Sequence, residues 1–269
     1  MSEILRESPL LGLLPRLRFV LRLCALFTVA ICTTSFWGVA VHAAAVSDRI
    51  KLTVIGDSLA DGVWAGLSRN TREQKKFRIR RAAKVSSGLA AYNWHAEASK
   101  LLSDAPDVVV IMLGANDGQA IRRRGEPRIG YRAQGWRNEY ADKVDKLLTL
   151  FAERNVYTVW VGLPMMRKDS MRAQAKLLNG IFAETVTGRP DVHYLPTWDL
   201  TVDVNGEYAA YAEIDDTGRQ RQFRAQDGVH FTMLGYQFLA RHVQEVIEDR
   251  LQHQRKAAKR NEESLGIVD

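Results

Sequence analysis

From residue 51 onward the chain alternates two patterns: short runs of consecutive apolar residues, and longer stretches whose apolar positions recur every three or four residues. The runs at 51–56, 107–113, 156–162 and 192–195 have the length and β-branched content of strands. The run at 107–113 is apolar from Val108 onward, as a strand covered on both faces must be, so it is predicted to be central. Residues 77–82 mix apolar and basic side chains and predict a strand nearer an edge. Helical spacing is present at 92–102 and 170–187, and at 136–154 through Tyr140, Val144, Leu147, Leu148 and Phe151. The residues after Ser58 place Leu59, Val63 and Leu67 on one helical face. A closing helix is predicted over 231–251, with Leu234, Phe238, Val243 and Ile247 on its buried side.

Strands separated by helices predict an α/β fold in which a parallel sheet is covered on both faces. Five strands fit a three-layer α/β/α sandwich of flavodoxin-like architecture, whose sites lie at the carboxyl ends of the strands. Two segments depart from the repeat. Residues 207–224 hold Asp216-Thr217-Gly218-Arg219 between two short runs and predict a β-hairpin. Residues 119–135, rich in Arg and Gly, read as a long loop. Neither an internal repeat nor an interdomain linker is visible.

The first 45 residues have a different composition. Arg16, Arg18 and Arg22 precede an uncharged stretch from 23 to 41, and Ala43-Ala44-Ala45 supplies small residues of the cleavage type. This is the pattern of a signal peptide; its length also suits an uncleaved membrane anchor. Arginines on the N-terminal side keep that end in the cytoplasm, so the domain is expected to be exported either way. The expected organisation is therefore a targeting segment at 1–45, one domain at 46–251, and a charged, frayed tail at 252–269. The 269-residue chain, 46% hydrophobic, is long enough for one substantial core. Both cysteines, Cys24 and Cys32, lie in the targeting segment, which excludes disulfide, thiol catalysis or a thiolate metal site in the domain. Of the formal charge of +7, Arg6, Arg16, Arg18 and Arg22 against Glu3 and Glu7 contribute +2, leaving +5 on the remainder. This modest excess could favour an anionic polymer, but no nucleic-acid motif accompanies it, and nucleic acid is not an expected partner.

Three constellations fall at strand ends or beside a helix start. In Gly56-Asp57-Ser58 the serine stands where helix-start N–H groups are unpaired and able to receive charge developing on a substrate oxygen. The same residues could simply cap the helix. Gly114-Ala115-Asn116-Asp117-Gly118 follows the central strand; Asn116 can offer a side-chain N–H to an oxyanion, or the block can be turn chemistry alone. In Asp227-Gly228-Val229-His230 the aspartate can accept Nδ1–H across a tight turn, leaving Nε2 to take a serine proton. A capping pair or half of a metal site are the alternatives, and no second histidine or paired carboxylate stands nearby at ligand spacing. His95, His193 and His242 lack such a context.

Taken in order, these motifs resemble the SGNH, or GDSL-type, hydrolase family over most of residues 51–251. The resemblance implies a nucleophile at Ser58 and an oxyanion hole formed by the Ser58 N–H, the Gly88 N–H and the Asn116 amide. Asp227 and His230 would complete the triad. Gly88 lies in Lys84-Val85-Ser86-Ser87-Gly88, where the family often has an asparagine shortly before the glycine and this chain has Lys84 and Val85. The overall look is similar to exported bacterial members of the cell envelope. The implied activity is acyl transfer from an ester through an acyl-enzyme, with no cofactor and no metal.

For the substrate, the loop after the oxyanion block carries Arg122, Arg123, Arg124, Arg128, Arg132 and Arg137 with Tyr131 and Trp136. Folded over the site, Arg122, Arg124, Tyr131 and Trp136 would meet an incoming ligand; otherwise the segment is a solvated charged loop. The expectation is a periplasmic or otherwise extracytoplasmic serine esterase that removes O-acetyl groups from a glycan such as peptidoglycan or exopolysaccharide. Its partners would be an acylated glycan or small ester, with membrane contact only through the N-terminal segment. A glycan O-acetyltransferase using the same residues, or a non-catalytic glycan-binding protein, are the rival readings.

Overall fold

Every strand of the main sheet runs in the same direction, in the order β2-β1-β3-β4-β5. The strands are β1 (Ile50–Gly56), β2 (Phe77–Ala83), β3 (Val108–Met112), β4 (Tyr157–Val161) and β5 (Val192–Leu195). The computed structural model describes residues 49–71, 75–123, 125–215 and 217–264. The expected targeting segment lies outside them, and no helix of the described residues is long and apolar enough to cross a membrane. β1 pairs with both β2 and β3, Ile55 facing Ala82 on one side and Ile111 on the other. All five residues of β3 are buried, which accounts for its unbroken apolar run. The edge strand β2 is largely exposed, as its interspersed arginines require.

The helices between the strands are α1 (Ser58–Asn70), α2 (Trp94–Leu101), α3 (Trp136–Ala152) and α4 (Asp169–Val186). Their apolar positions face the sheet: Leu59, Val63 and Leu67 of α1, and Tyr140, Val144, Leu147, Leu148 and Phe151 of α3. A short antiparallel pair, β6 (Tyr211–Glu213) and β7 (Gln220–Gln222), forms the expected hairpin.

The closing helix α5 differs from expectation in length and phase. It runs Met233–Ser264, through the tail expected to fray. Its buried residues are Tyr236, Leu239, Ala240, Val243 and Ile247, whereas Leu234 and Phe238 are only partly buried. The shift follows from its partner. α5 packs on α1 where Gly62 and Gly66 remove side-chain bulk, so the Tyr236 ring lies over Gly62 and the Tyr236 backbone over Gly66. A periodicity argument cannot see where the facing helix is thin.

This close approach makes α1 sensitive to volume. A Cβ on Gly66 would lie 2.3 Å from the Tyr236 carbonyl oxygen, a backbone atom that yields only if the helices part. Gly66→Ala is therefore expected to destabilise the domain by about 1–3 kcal/mol. Urea unfolding checks this, the midpoint falling while the slope stays constant.

Candidate active site

Three loops at the carboxyl ends of the strands meet at the start of α1. The β1–α1 turn is tight because Gly56, at φ +138°, crosses the end of β3; a Cβ there would lie 1.9 Å from the Met112 carbonyl oxygen. Asp57 caps α1, its Oδ1 accepting from the Leu59 N–H at 2.9 Å. Its Oδ2 accepts from the Ala115 N–H at 3.2 Å, which fastens the β1–α1 turn to the loop after β3. Ser58 is left as the first helical residue, partly exposed, with its N–H outside the helical hydrogen-bond ladder.

A second buried carboxylate repeats the device. Asp117 accepts from the Ala90 N–H at 2.7 Å, the Leu89 N–H at 3.0 Å and the Tyr140 hydroxyl at 2.8 Å. Gly88 abuts this carboxylate, and a Cβ there would lie 2.3 Å from Asp117 Oδ1. Asn116 Nδ2 donates to the Ser87 carbonyl at 3.0 Å, so one amide hydrogen orients the side chain and the other remains for a ligand. The Gly88 N–H makes no hydrogen bond within the described residues. Ser58, Gly88 and Asn116 are thus held by one lashed set of loops.

The fourth loop precedes α5. His230 Nε2 lies 2.8 Å from Ser58 Oγ, and its Nδ1 lies 2.6 Å from Asp227 Oδ2. The other carboxylate oxygen of Asp227 accepts from the Val229 and His230 amides at 2.8 and 2.9 Å, so one side chain shapes the turn and orients the ring. Partial burial pushes the Asp227 carboxyl up, but the hydrogen bonds from the His230 ring and the two amides together outweigh it and bring it down to about 2. Asp227 is therefore ionised at neutral pH, and the proton on Nδ1 leaves Nε2 as the lone-pair nitrogen toward the serine.

Arg224 was not foreseen. It is fully buried and donates to the Met165 carbonyl at 2.7 Å and the Val229 carbonyl at 3.0 Å, between the Tyr208 and Phe231 rings. Burial pushes its guanidinium down to about 10, so it stays charged and clamps the Asp227–His230 turn from behind. In sequence it is one more arginine near a charged hairpin, and nothing local distinguishes it. Gln174, which ties α4 to the Gly114 carbonyl at 2.6 Å, was equally unreadable.

The arginine-rich loop does not present its aromatics as expected. Trp136 is 1% exposed, stacks on Tyr140 and donates its indole N–H to the Gln119 carbonyl. Tyr131 packs edge-on against Trp136. Trp136 belongs to the core because α3 begins with its apolar face already turned inward, and Tyr131 is partly buried against it. Arg123 pairs with Glu126 and Arg137 with Glu184. Arg122 is exposed and lines a cleft of about 480 Å³ with Tyr92, Glu139 and Lys143. Arg124 lies outside the described residues. Asp57 serves the turn, as its position implied. His242 faces Glu245 and the Phe238 ring, away from the triad residues in sequence and contacts. Among the described residues no cluster of His, Cys, Asp or Glu could hold a metal ion.

The family described as "Protein of unknown function (DUF459)" matches residues 51–246. No curated protein matches the chain. Among solved structures, the esterase EstA from Pseudoalteromonas sp. is similar at 15% identity, covering 75% of this chain and 98% of its own, with a TM-score of 0.51. A carbohydrate esterase family 3 protein from Talaromyces cellulolyticus is similar at 13% identity, 76% and 99% coverage and a TM-score of 0.51. The acetylxylan esterase Axe2 from Geobacillus stearothermophilus is similar at 16% identity, 73% and 94% coverage and a TM-score of 0.50. What these structures share with the chain is the fold, which solved structures of GDSL-type proteins also carry.

Burial, then the neighbouring Asp117 charge, push the Asp57 carboxyl up from 3.8 to about 7 against the hydrogen bonds it accepts. A raised carboxyl favours the folded state most below its unfolded value of 3.8, and that stabilisation is lost as pH rises through about 7. Asp57→Asn is expected to lower stability below about pH 4, because its amide cannot accept from both N–H groups. It should also flatten the decline between about pH 4 and 7. Urea midpoints measured across that range in both proteins check it.

Proposed function

The chain belongs to the DUF459 family and carries the SGNH hydrolase fold; from that premise we propose that it is a serine esterase of the cell envelope that removes O-acetyl groups from a glycan. The observation that carries the reading is the aligned Ser58–His230–Asp227 chain, at 2.8 and 2.6 Å, with the Gly88 N–H and one Asn116 amide hydrogen left unbonded among the described residues in loops lashed to the serine turn. His230 Nε2 takes the Ser58 proton as Oγ attacks the acetyl carbonyl. The oxyanion is received by the Ser58 and Gly88 N–H groups and the free hydrogen of Asn116 Nδ2. Collapse expels the sugar oxygen, which His230 protonates; His230 then deprotonates a water that releases acetate and restores Ser58.

An acetylated glycan is favoured because Asp61 and Arg81 stand in the wall of the cleft that holds Ser58, where polar groups suit hydroxyls better than an apolar chain. The names of two similar structures, a carbohydrate esterase and an acetylxylan esterase, agree with an acylated glycan as substrate. Export rests on the arginine-led apolar segment at 1–45.

Ser58→Ala is expected to abolish acetate release from acetylated envelope glycans, and Asn116→Ala to lower turnover by about 10²–10³. Full activity in the serine variant would sink the assignment. Adding an unacetylated acceptor glycan to the same assay separates hydrolysis from transfer, since a transferase would yield a newly acetylated sugar in place of acetate.

A further inference from the structure

Asp61 and Arg81 have no part in the chemistry above, yet they stand beside the nucleophile. Arg81, on edge strand β2, reaches across to α1 and forms a forked pair with Asp61, Nε to Oδ1 at 2.5 Å and Nη2 to Oδ2 at 2.9 Å. The guanidinium also lies 5.5 Å from the Trp64 ring centroid. These three residues, with Gly62, Ala65, Met233 and Tyr236, wall a cleft of about 350 Å³ that includes Ser58. That volume is within the range of small-molecule sites, about 300–1,000 Å³.

The cleft's position says which part of an ester it would receive. Its walls are α1 and the first turns of α5, and Met233 stands three residues after His230. Gly88 and Asn116, the oxyanion side, do not line it. His230 does not line it either, but its α5 wall begins three residues after that histidine, which protonates the departing oxygen, and this nearness in the chain assigns it to the leaving-group side. Its chemistry says what that part is. The ion pair is neutral as a whole, so a charged ligand group gains little from it. An apolar chain would strip water from the pair and return nothing polar. Hydroxyl groups suit it: Arg81 Nη1 makes no hydrogen bond among the described residues, and each Asp61 oxygen retains accepting capacity beyond the fork. The partly buried Trp64 ring offers apolar surface to the C–H face of a ring.

Resting on the esterase reading of Ser58, we propose that this cleft is the subsite for the leaving sugar. Asp61 and Arg81 then determine specificity for a neutral, hydroxyl-bearing alcohol. The test uses the full chain and its Asp61→Asn and Arg81→Lys variants, the second keeping the charge while losing the fork. Mono-O-acetyl methyl glucoside and methyl xyloside are compared with 4-nitrophenyl acetate, whose leaving group bears no sugar hydroxyls. Binding of the unesterified methyl glycosides is titrated on a Ser58→Ala background by tryptophan fluorescence.

Both variants should lower kcat/KM on the sugar esters at least about tenfold more than on 4-nitrophenyl acetate, and weaken glycoside binding by a similar factor. Equal losses on both ester types, or binding indifferent to both substitutions, overturns the subsite. A wild type that binds glycosides through Asp61 but cleaves no ester supports the subsite and removes the esterase reading. A wild type that cleaves both esters with a ratio insensitive to Asp61 and Arg81 does the reverse.

Discussion

Two buried carboxylates hold the site together. Asp57 and Asp117 accept backbone N–H groups from Leu59, Ala115, Leu89 and Ala90, and so join the ends of β1 and β3 to the loop that follows β2. Without them, three loops would each present unpaired donors at the rim of the sheet, where a buried unsatisfied N–H is costly. The arrangement has its own cost, since burial raises the proton affinity of both carboxylates. It yields in return a fixed spacing between Ser58, Gly88 and Asn116. Preorganised donors of this kind need no reorganisation when charge develops.

The histidine arrives by a different route. Its loop hangs between the β6–β7 hairpin and α5, with no sheet strand beneath it. Arg224 supplies the missing support, a buried cation whose donors are spent on carbonyls of the turn and of Met165. Two kinds of fastening thus meet at the serine: anions gathering N–H groups on the oxyanion side, and a cation gathering carbonyls on the histidine side. The cleft with Asp61 and Arg81 lies beyond the second of these, on α1 and α5.

Much of this was legible along the chain. The unbroken apolar run at 108–112 reads as the sheet's centre because a strand covered on both faces tolerates no polar position. Ser58, Asn116 and His230 were readable as candidates because each follows a strand end or precedes a helix, where backbone groups are free to act. The reading failed where a side chain's fate depends on what faces it. Trp136 looked available to a ligand because it follows a charged loop, but it stacks on Tyr140 in the core. The phase of α5 is set by the glycines of α1, which lie 170 or more residues earlier in the chain.

Pattern along the chain was enough for the alternation of strand and helix, the parallel sheet, and the order in which nucleophile, oxyanion donor and base occur. Each of these is a local or periodic property, governed by backbone geometry and by which face of an element avoids water. It took the folded arrangement to show that His230 Nε2 faces Ser58 Oγ at 2.8 Å, that Arg224 is a buried clamp, and that Arg81 forks onto Asp61 beside the nucleophile. Those are contacts between residues far apart in the chain, and their energies depend on distance and burial, which a linear pattern does not contain.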